Sequence, residues 1–237
     1  MGKNKLARWT EFGSFDNVIQ PKIGDISGKD HPLKGRWNKD IFKNDNPLVL
    51  ELGCGKGEYS VGLATTYPER NFIGIDIKGA RMWRGAKTSD ELKLSNIAFL
   101  RTRIEFINSF FSNDEVDEIW ITFPDPHPGG KNPDKRLTSP RFLNLYRLFL
   151  KNNGLVHLKT DNIELYTYTN TVVNYNGLNI ISFTNDLYSQ DISDKILSIK
   201  THYENLFLNK GLKINYLSFR LEKEKIIEDA LQKTRKD

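Results

Sequence analysis

Two acids and three glycines in the first third of the chain have the spacing of a nucleoside-binding turn. In Pro47-Leu-Val-Leu-Glu51-Leu-Gly53-Cys-Gly55-Lys-Gly57 an apolar run breaks into an acid and then into alternating glycines. A second apolar run, Asn71-Phe-Ile-Gly-Ile, closes on Asp76 about one βαβ unit later. Glycines between a strand and a helix let backbone approach a ligand closely at the helix N-terminus. A dinucleotide site wants G-x-G-x-x-G with a pyrophosphate over the helix. Here the spacing is G-x-G-x-G, and Glu51 places a negative charge where a pyrophosphate would be repelled and an ammonium attracted. S-adenosylmethionine has such an ammonium and no phosphate. Glu51, Gly53, Gly55 and Gly57 therefore predict that cofactor, with Asp76 taking its ribose hydroxyls. The bland alternative is an ordinary glycine-rich βα turn.

A third acid sits where a later strand stops. Trp120-Ile-Thr-Phe-Pro124-Asp125-Pro126-His127-Pro128 is an apolar run that ends in a proline-bracketed Asp125. Prolines fix their own φ and bias the preceding residue away from helix, so Asp125 is expected to be held rigidly facing the cofactor; a proline-rich turn with a solvated acid is the alternative. The following segment, Gly129-Gly-Lys131-Asn-Pro-Asp-Lys135-Arg136-Leu-Thr138, reads as a flexible basic loop leading to a helix with Arg141 and Arg147. With Lys78, Arg81, Arg84, Lys87, Lys93, Arg101 and Arg103, interleaved with Trp83 and Tyr146, these cations suit phosphate contacts and base stacking. For any single cation of the Lys78–Lys93 segment, a solvated helix face is an equal reading.

The elements that must position these residues alternate along the chain. Strands are expected at Leu48–Leu52, Asn71–Asp76, Ile97–Arg101, Glu118–Phe123, Leu155–Lys159, Leu178–Asn185 and Ile214–Arg220. Helices are expected at Glu58–Tyr67, Lys78–Leu94, Ile104–Phe111, Pro140–Leu150, Ile163–Tyr175 and His202–Asn209. The alternation predicts an α/β, Rossmann-like fold: a mostly parallel seven-stranded sheet with helices on both faces and an antiparallel strand near the C-terminus. Ligands of such sheets gather at the carboxyl ends of the strands. The expected organisation is a basic N-terminal arm and lead-in over 1–45, one domain over 46–221, and a charged tail over 222–237 that reads as an exposed amphipathic helix or a frayed end.

Composition closes off other classes. The 237 residues carry a net charge of +5, which is modest, so the placement of the cations says more than their excess. One cysteine, Cys54, excludes an internal disulfide framework and fits the reducing cytoplasm. It reads as a small turn residue, with a nucleophile as the minor alternative. The histidines at 31, 127, 157 and 202 lack zinc-ligand spacing, so no metal is expected. The N-terminus has charge without an apolar core behind it, Met1-Gly2 lacks the hydroxyl residue of a myristoylation site, and no apolar run has bilayer length.

From about Leu48 to Arg220 the chain resembles the bacterial tRNA (guanine-N7-)-methyltransferases. Glu51-Leu-Gly-Cys-Gly-Lys-Gly57 and Gly74-Ile-Asp76 are shared widely among class I methyltransferases. Phe123-Pro-Asp125-Pro, Lys135-Arg136-Leu137-Thr138, Lys159-Thr160-Asp161 and Thr201-His202-Tyr203-Glu204 together are specific to the family. Lys5-Leu-Ala-Arg8-Trp9 and Phe15 look like the basic, aromatic arm of its members. The resemblance implies transfer of a methyl group from S-adenosylmethionine to N7 of a guanine in the variable loop of tRNA. Its implied partner is tRNA, with no DNA and no membrane. It implies that Glu51, Asp76 and Asp125 line the cofactor pocket, that Asp125 is also catalytic, and that Asp161, Thr201, His202, Tyr203 and Glu204 hold the guanine.

Two departures bear on contacts. Relatives have a Trp where His127 stands and a basic pair where Gly129-Gly130 stands, so Lys131 is the candidate replacement for a substrate-contacting lysine, beside Lys135 and Arg136. An acid near the adenine is replaced by Thr102-Arg103. Arg103 is then left to stack on adenine or to use its backbone, since a guanidinium accepts no hydrogen bond. Three rival classes share parts of the pattern. A small-molecule methyltransferase needs no basic arm, an NAD-dependent oxidoreductase would bind nicotinamide instead, and a catalytically silent RNA-binding protein has no use for both Glu51 and Asp125.

Overall fold

Strands form where the apolar runs are longest. In the computed structural model, which describes residues 3–129, 132–189 and 195–229, β2 (Leu48–Leu52), β3 (Asn71–Asp76) and β4 (Ile97–Arg101) are buried along almost their whole length. That is the signature of parallel strands covered on both faces. With β1 (Val18–Ile19), β5 (Val116–Thr122), β6 (Leu150–Thr160), β7 (Ile180–Thr184) and β8 (Asn215–Leu221) they form an eight-stranded sheet in the order β1-β4-β3-β2-β5-β6-β8-β7. β8 alone runs antiparallel to its neighbours β6 and β7. The crossovers carry α3 (Glu58–Thr66), α4 (Gly79–Glu91), α5 (Pro140–Tyr146), α6 (Ile163–Tyr175) and α8 (His202–Asn209).

Side-chain alternation divides the core into two layers. Leu48, Leu50, Leu52, Ile73, Ile75 and Ile121 pack toward α5 and α6. Val49, Phe72, Phe99 and Trp120 pack toward α3 and α4. The β2–β3 and β2–β5 registers bring Glu51 beside Gly74 and Trp120, so the carboxyl ends of the three central strands open side by side.

Several expectations shift. The helix expected to run from Pro140 to Leu150 ends at Tyr146, and β6 starts at Leu150, because Val116 pairs with Leu150 and draws exposed, polar Lys151–Asn153 into the strand. The segment Ile104–Ser109 is a 3₁₀ helix in which Phe106 N–H bonds Arg103 O and Phe110 N–H bonds Ile107 O. The N-terminal segment is not a simple arm. α1 (Lys3–Phe12) lies on α4, and β1 adds an eighth strand beside β4. Smaller elements, α2 (Ile23–Ile26), a π-helical turn (Trp37–Phe42) and α7 (Lys195–Ser198), have too little sequence for periodicity to reveal them.

The described part of the C-terminal tail is neither helical nor frayed. Ile227 is buried, its N–H bonds Asn144 Oδ1, and Asn176 bonds the backbone of Glu228 from both ends of its amide. Residues 230–237 lie outside the described part. Among the described residues no helix is long and apolar enough to cross a membrane.

Candidate functional site

A cleft of ≈ 610 Å³ opens at the carboxyl ends of β2, β3, β5 and β6. One wall is the glycine turn with Glu51, Cys54, Asp76, Ile77, Lys78 and Arg81; the other is the loop after β5 with Asp125 and His127, then Lys135, Asp161, Thr201, Tyr203 and Phe207.

The glycine turn is held by backbone. Gly53 and Cys54 both donate to Ile75 O at 2.8 and 3.0 Å, which closes the turn over β3. Gly53, Gly55 and Gly57 have φ of 76, 56 and 70°, a region costly for other residues. Their surroundings differ. A Cβ on Gly55 would meet almost nothing, whereas one on Gly57 would lie 2.5 Å from the Phe99 ring and 3.2 Å from Gly85 Cα. Gly57 thus serves the contact of α3 with α4, and it does not line the cleft.

Glu51 is 3% exposed and already engaged. Its Oε2 accepts from Ser60 N–H at 2.9 Å and from the Ser60 hydroxyl, and its Oε1 accepts from Thr122 Oγ1 at 2.5 Å. Burial pushes its pKa up to about 7, against the lowering effect of those donors. A cation arriving at the remaining acceptor position would favour the ionised form. Asp76 accepts from Gly55 N–H at 3.0 Å and from Lys78 N–H at 2.8 Å, so both oxygens are oriented while the carboxylate still faces the cleft.

Asp125 is held by more than its prolines. Phe123 turns the chain out of β5 with φ of 48°, and His127 follows with φ of 43° while donating its N–H to Asp125 Oδ1 at 3.1 Å. Arg136, expected at the RNA surface, is 3% exposed beneath this loop. Its guanidinium donates to Pro126 O, His127 O and Glu164 at 2.9, 3.0 and 2.5 Å and lies 4.4 Å from the Tyr168 ring centroid. Glu164 also accepts from Gly129 N–H. Arg136 therefore clamps the loop that carries Asp125, and phosphate cannot reach it in this arrangement. The Asp125 side chain itself remains 73% exposed.

The other expected residues separate into two groups. Asp161, half-buried, lines the cleft with its carboxyl raised by burial, and Lys135, Thr201 and Tyr203 line it too. Glu204 is fully buried, 2.8 Å from the equally buried Lys159, and its carboxylate completes a capping box with Thr201. His202 leaves the cleft lining, although its N–H is held by Glu58 Oε2 at 2.7 Å. Arg103 faces a neighbouring hollow with Trp9, Lys22 and Arg101 and lies 3.5 Å from Glu105. Lys131 lies outside the described residues.

The expected stacking aromatics are also committed elsewhere. Tyr146 is buried with its hydroxyl on Leu137 O. The Trp83 indole N–H bonds Glu11, with Arg8 4.7 Å and Lys87 5.3 Å from the ring centroid, so it docks α1 onto α4. Sequence reasoning missed Ser60 and Thr122, which grip Glu51, and Phe207 on the far wall; Lys159 entered only as part of the Lys159-Thr160-Asp161 motif and lies buried beneath that wall. A hydroxyl one helical turn beyond Gly57 was the only local signal among them.

A family model described as a putative methyltransferase matches residues 45–217. A tRNA (guanine-N(7)-)-methyltransferase of Bacteroides fragilis is 50% identical over 224 residues, 94% of this chain and 88% of its own length. One of Porphyromonas gingivalis is 56% identical over 211 residues, covering 88% of this chain and 86% of that protein. This chain belongs to the tRNA (guanine-N(7)-)-methyltransferase family. Among solved structures, the 16S rRNA methyltransferase KamB matches with a TM-score of 0.61 at 14% identity, over 81% of this chain and 95% of that one. At that identity the likeness speaks for the fold alone, which is the Rossmann-like fold of class I methyltransferases. Within this family frame the cleft keeps acids on both walls, while Arg136 lies buried beneath the Asp125 loop and Glu204 is buried against Lys159.

Proposed function

We propose that the chain transfers the methyl group of S-adenosylmethionine to N7 of a guanine in the variable loop of tRNA, in the cytoplasm. The observation that carries this reading, in a member of this family, is one cleft in which Glu51 and Asp76 face Asp125 and Asp161. Its volume lies within the ~300–1,000 Å³ usual for small-molecule sites. The donor set suits the cofactor. The glycine turn admits close approach, Asp76 is oriented toward hydroxyl donors, and Glu51 is a buried acid that an ammonium would ionise, while the turn is flanked by acids that disfavour a pyrophosphate.

When bound, the cofactor supplies an electrophilic methyl carbon on a sulfonium. Guanine N7 presents an in-plane lone pair and no proton, so the residues need not remove one; alignment does most of the work. Methylation at N7 leaves a cationic purine, and the Asp125 carboxylate opposes that charge as it develops. Asp161 accepts from the N1–H and N2–H edge, since an ionised carboxylate only accepts. Lys56, Lys78, Arg81 and Lys135 at the cleft provide phosphate contacts around a base drawn from its stack.

The test is incubation of the protein with unmodified bulk tRNA and methyl-labelled cofactor, then nucleoside analysis. Label in 7-methylguanosine is the expected result. Label in another nucleoside, or labelling of small molecules that survives ribonuclease treatment of the substrate, overturns it.

A further inference from the structure

Lys159, the penultimate residue of β6, has its ammonium fully buried. It lies 2.8 Å from Glu204 and donates to Leu197 O and Ile199 O at 3.1 and 3.0 Å. Glu204 Oε1 also accepts from Tyr188 Oη at 2.5 Å, while Oε2 accepts from Thr201 N–H at 3.3 Å. One ion pair therefore joins the end of β6, the 187–189 turn and the whole segment from α7 to the first turn of α8. Every direction from which a base could reach the Glu204 carboxylate is filled, and Glu204 is absent from the cleft lining.

The same segment carries the rim. Thr201, Tyr203 and Phe207 line the cleft; Tyr203 lies 6.5 Å from Phe207, which lies 5.8 Å from Phe123. Tyr203 is 39% exposed, with Lys56 Nζ over its ring 5.7 Å from the centroid. A half-exposed aromatic beside a cation is a platform for an unstacked base. Burying two charges brings a desolvation penalty that their attraction often fails to exceed, so stability alone is a poor reason for this pair; fixing one register is the better-attested use.

We propose that Lys159 and Glu204 are positioning residues, which set the Thr201–Phe207 rim so that Tyr203 stacks on the target guanine, and that Glu204 does not touch the base. This rests on the function proposed above. It leaves Asp161 as the carboxylate that meets the guanine edge.

The experiment compares Glu204→Gln, Lys159→Met, the double variant and Tyr188→Phe, reading KM for tRNA, cofactor Kd, and hydrogen exchange of the 201–207 amides without RNA. Each charge-removing single variant should raise KM for tRNA about tenfold or more and speed exchange, because its partner charge is left buried and unpaired. Cofactor Kd should stay within about twofold, less than a 1 kcal/mol change. The double variant removes both charges together, so neither is left buried without its partner. It should recover slow exchange and a KM within about threefold of the parent, the sign of coupling between neighbours. A double variant with parental exchange and cofactor binding but the KM of Glu204→Gln would overturn the proposal, since the carboxylate itself would then be needed at the base. If the single variants fail to fold, Tyr188→Phe decides with the double variant. Faster exchange at 201–207 and a raised KM are expected, and no change in either overturns the positioning role. A parent that labels no guanine refutes the function, whereas unchanged exchange in the variants refutes this inference separately.

Discussion

The wall of the cleft at β2, β3 and α4 is built almost entirely from residues near one another in sequence, and backbone amides do most of the holding: Gly53 and Cys54 on Ile75 O, Gly55 and Lys78 on Asp76. The opposite wall is assembled from segments far apart, and buried charged side chains do the holding: Arg136 under the Asp125 loop, Lys159 and Glu204 under the rim. On the function proposed above, a backbone turn with one geometry suits a cofactor that is the same in every turnover. On the same reading, side-chain clamps made between distant segments suit a wall that admits a large RNA, because each clamp holds a loop at one or two points and leaves its outer face free.

The comparison can be broken at four places, from the largest expected effect to the smallest. Asp125→Asn keeps shape and removes charge on the far wall. Single-turnover rates at saturating cofactor should fall by about 100-fold or more, the scale of losing one preorganised electrostatic group. A near-parental rate would leave Asp125 as a turn residue.

Glu51→Gln probes the near wall through pH. With its pKa raised to about 7, Glu51 binds a proton in the folded protein that the unfolded chain has already released above the ordinary 4.5. Its contribution to stability is therefore fully present below about pH 4.5 and lost as pH rises through 7, by up to about 3 kcal/mol. Cofactor affinity should run the opposite way, rising with pH through 7 as Glu51 ionises. In Glu51→Gln both slopes should flatten, and denaturant unfolding with calorimetry across pH 5–8 checks them.

Arg136→Ala should lower stability by about 1.5–3 kcal/mol, the range for hydrogen bonds to charged groups, and slow methyl transfer by loosening the Asp125 loop. Unchanged stability with weaker tRNA binding would return Arg136 to the RNA surface. Lys135→Ala, one residue earlier but exposed at the cleft, should do the reverse. It should leave stability unaltered and make the slope of log affinity for tRNA against log salt shallower by up to about one unit.

Adjacent Lys135 and Arg136 show where sequence reasoning stops. Both read as loop cations, and nothing local says that one faces solvent while the other reaches across to Glu164 and the carbonyls of Pro126 and His127. Glu204 is a similar case, since its capping box with Thr201 is legible at four-residue range but its partner Lys159 is set by β6 and lies far back in the chain. Tyr146 and Trp83 read as stacking surfaces because aromatic type carries no address; one is core and the other seats α1.

What the sequence determined by itself is the set of features written within a few residues. The glycine turn and its two acids, the buried parallel strands Leu48–Leu52, Asn71–Asp76 and Ile97–Arg101, the helices Ile163–Tyr175 and His202–Asn209, and the antiparallel final strand all follow from periodicity, turn chemistry and short-range capping. Tertiary structure decided which charges face the cleft and which are spent beneath it, that the N-terminal segment adds a helix and an edge strand, and that Leu150–Asn153 joins a strand despite its polar residues. The physical reason is range. Backbone geometry and amphipathic period act between near neighbours, whereas the pairing of a buried charge depends on which distant segment the packed sheet brings within about 3–4 Å of it.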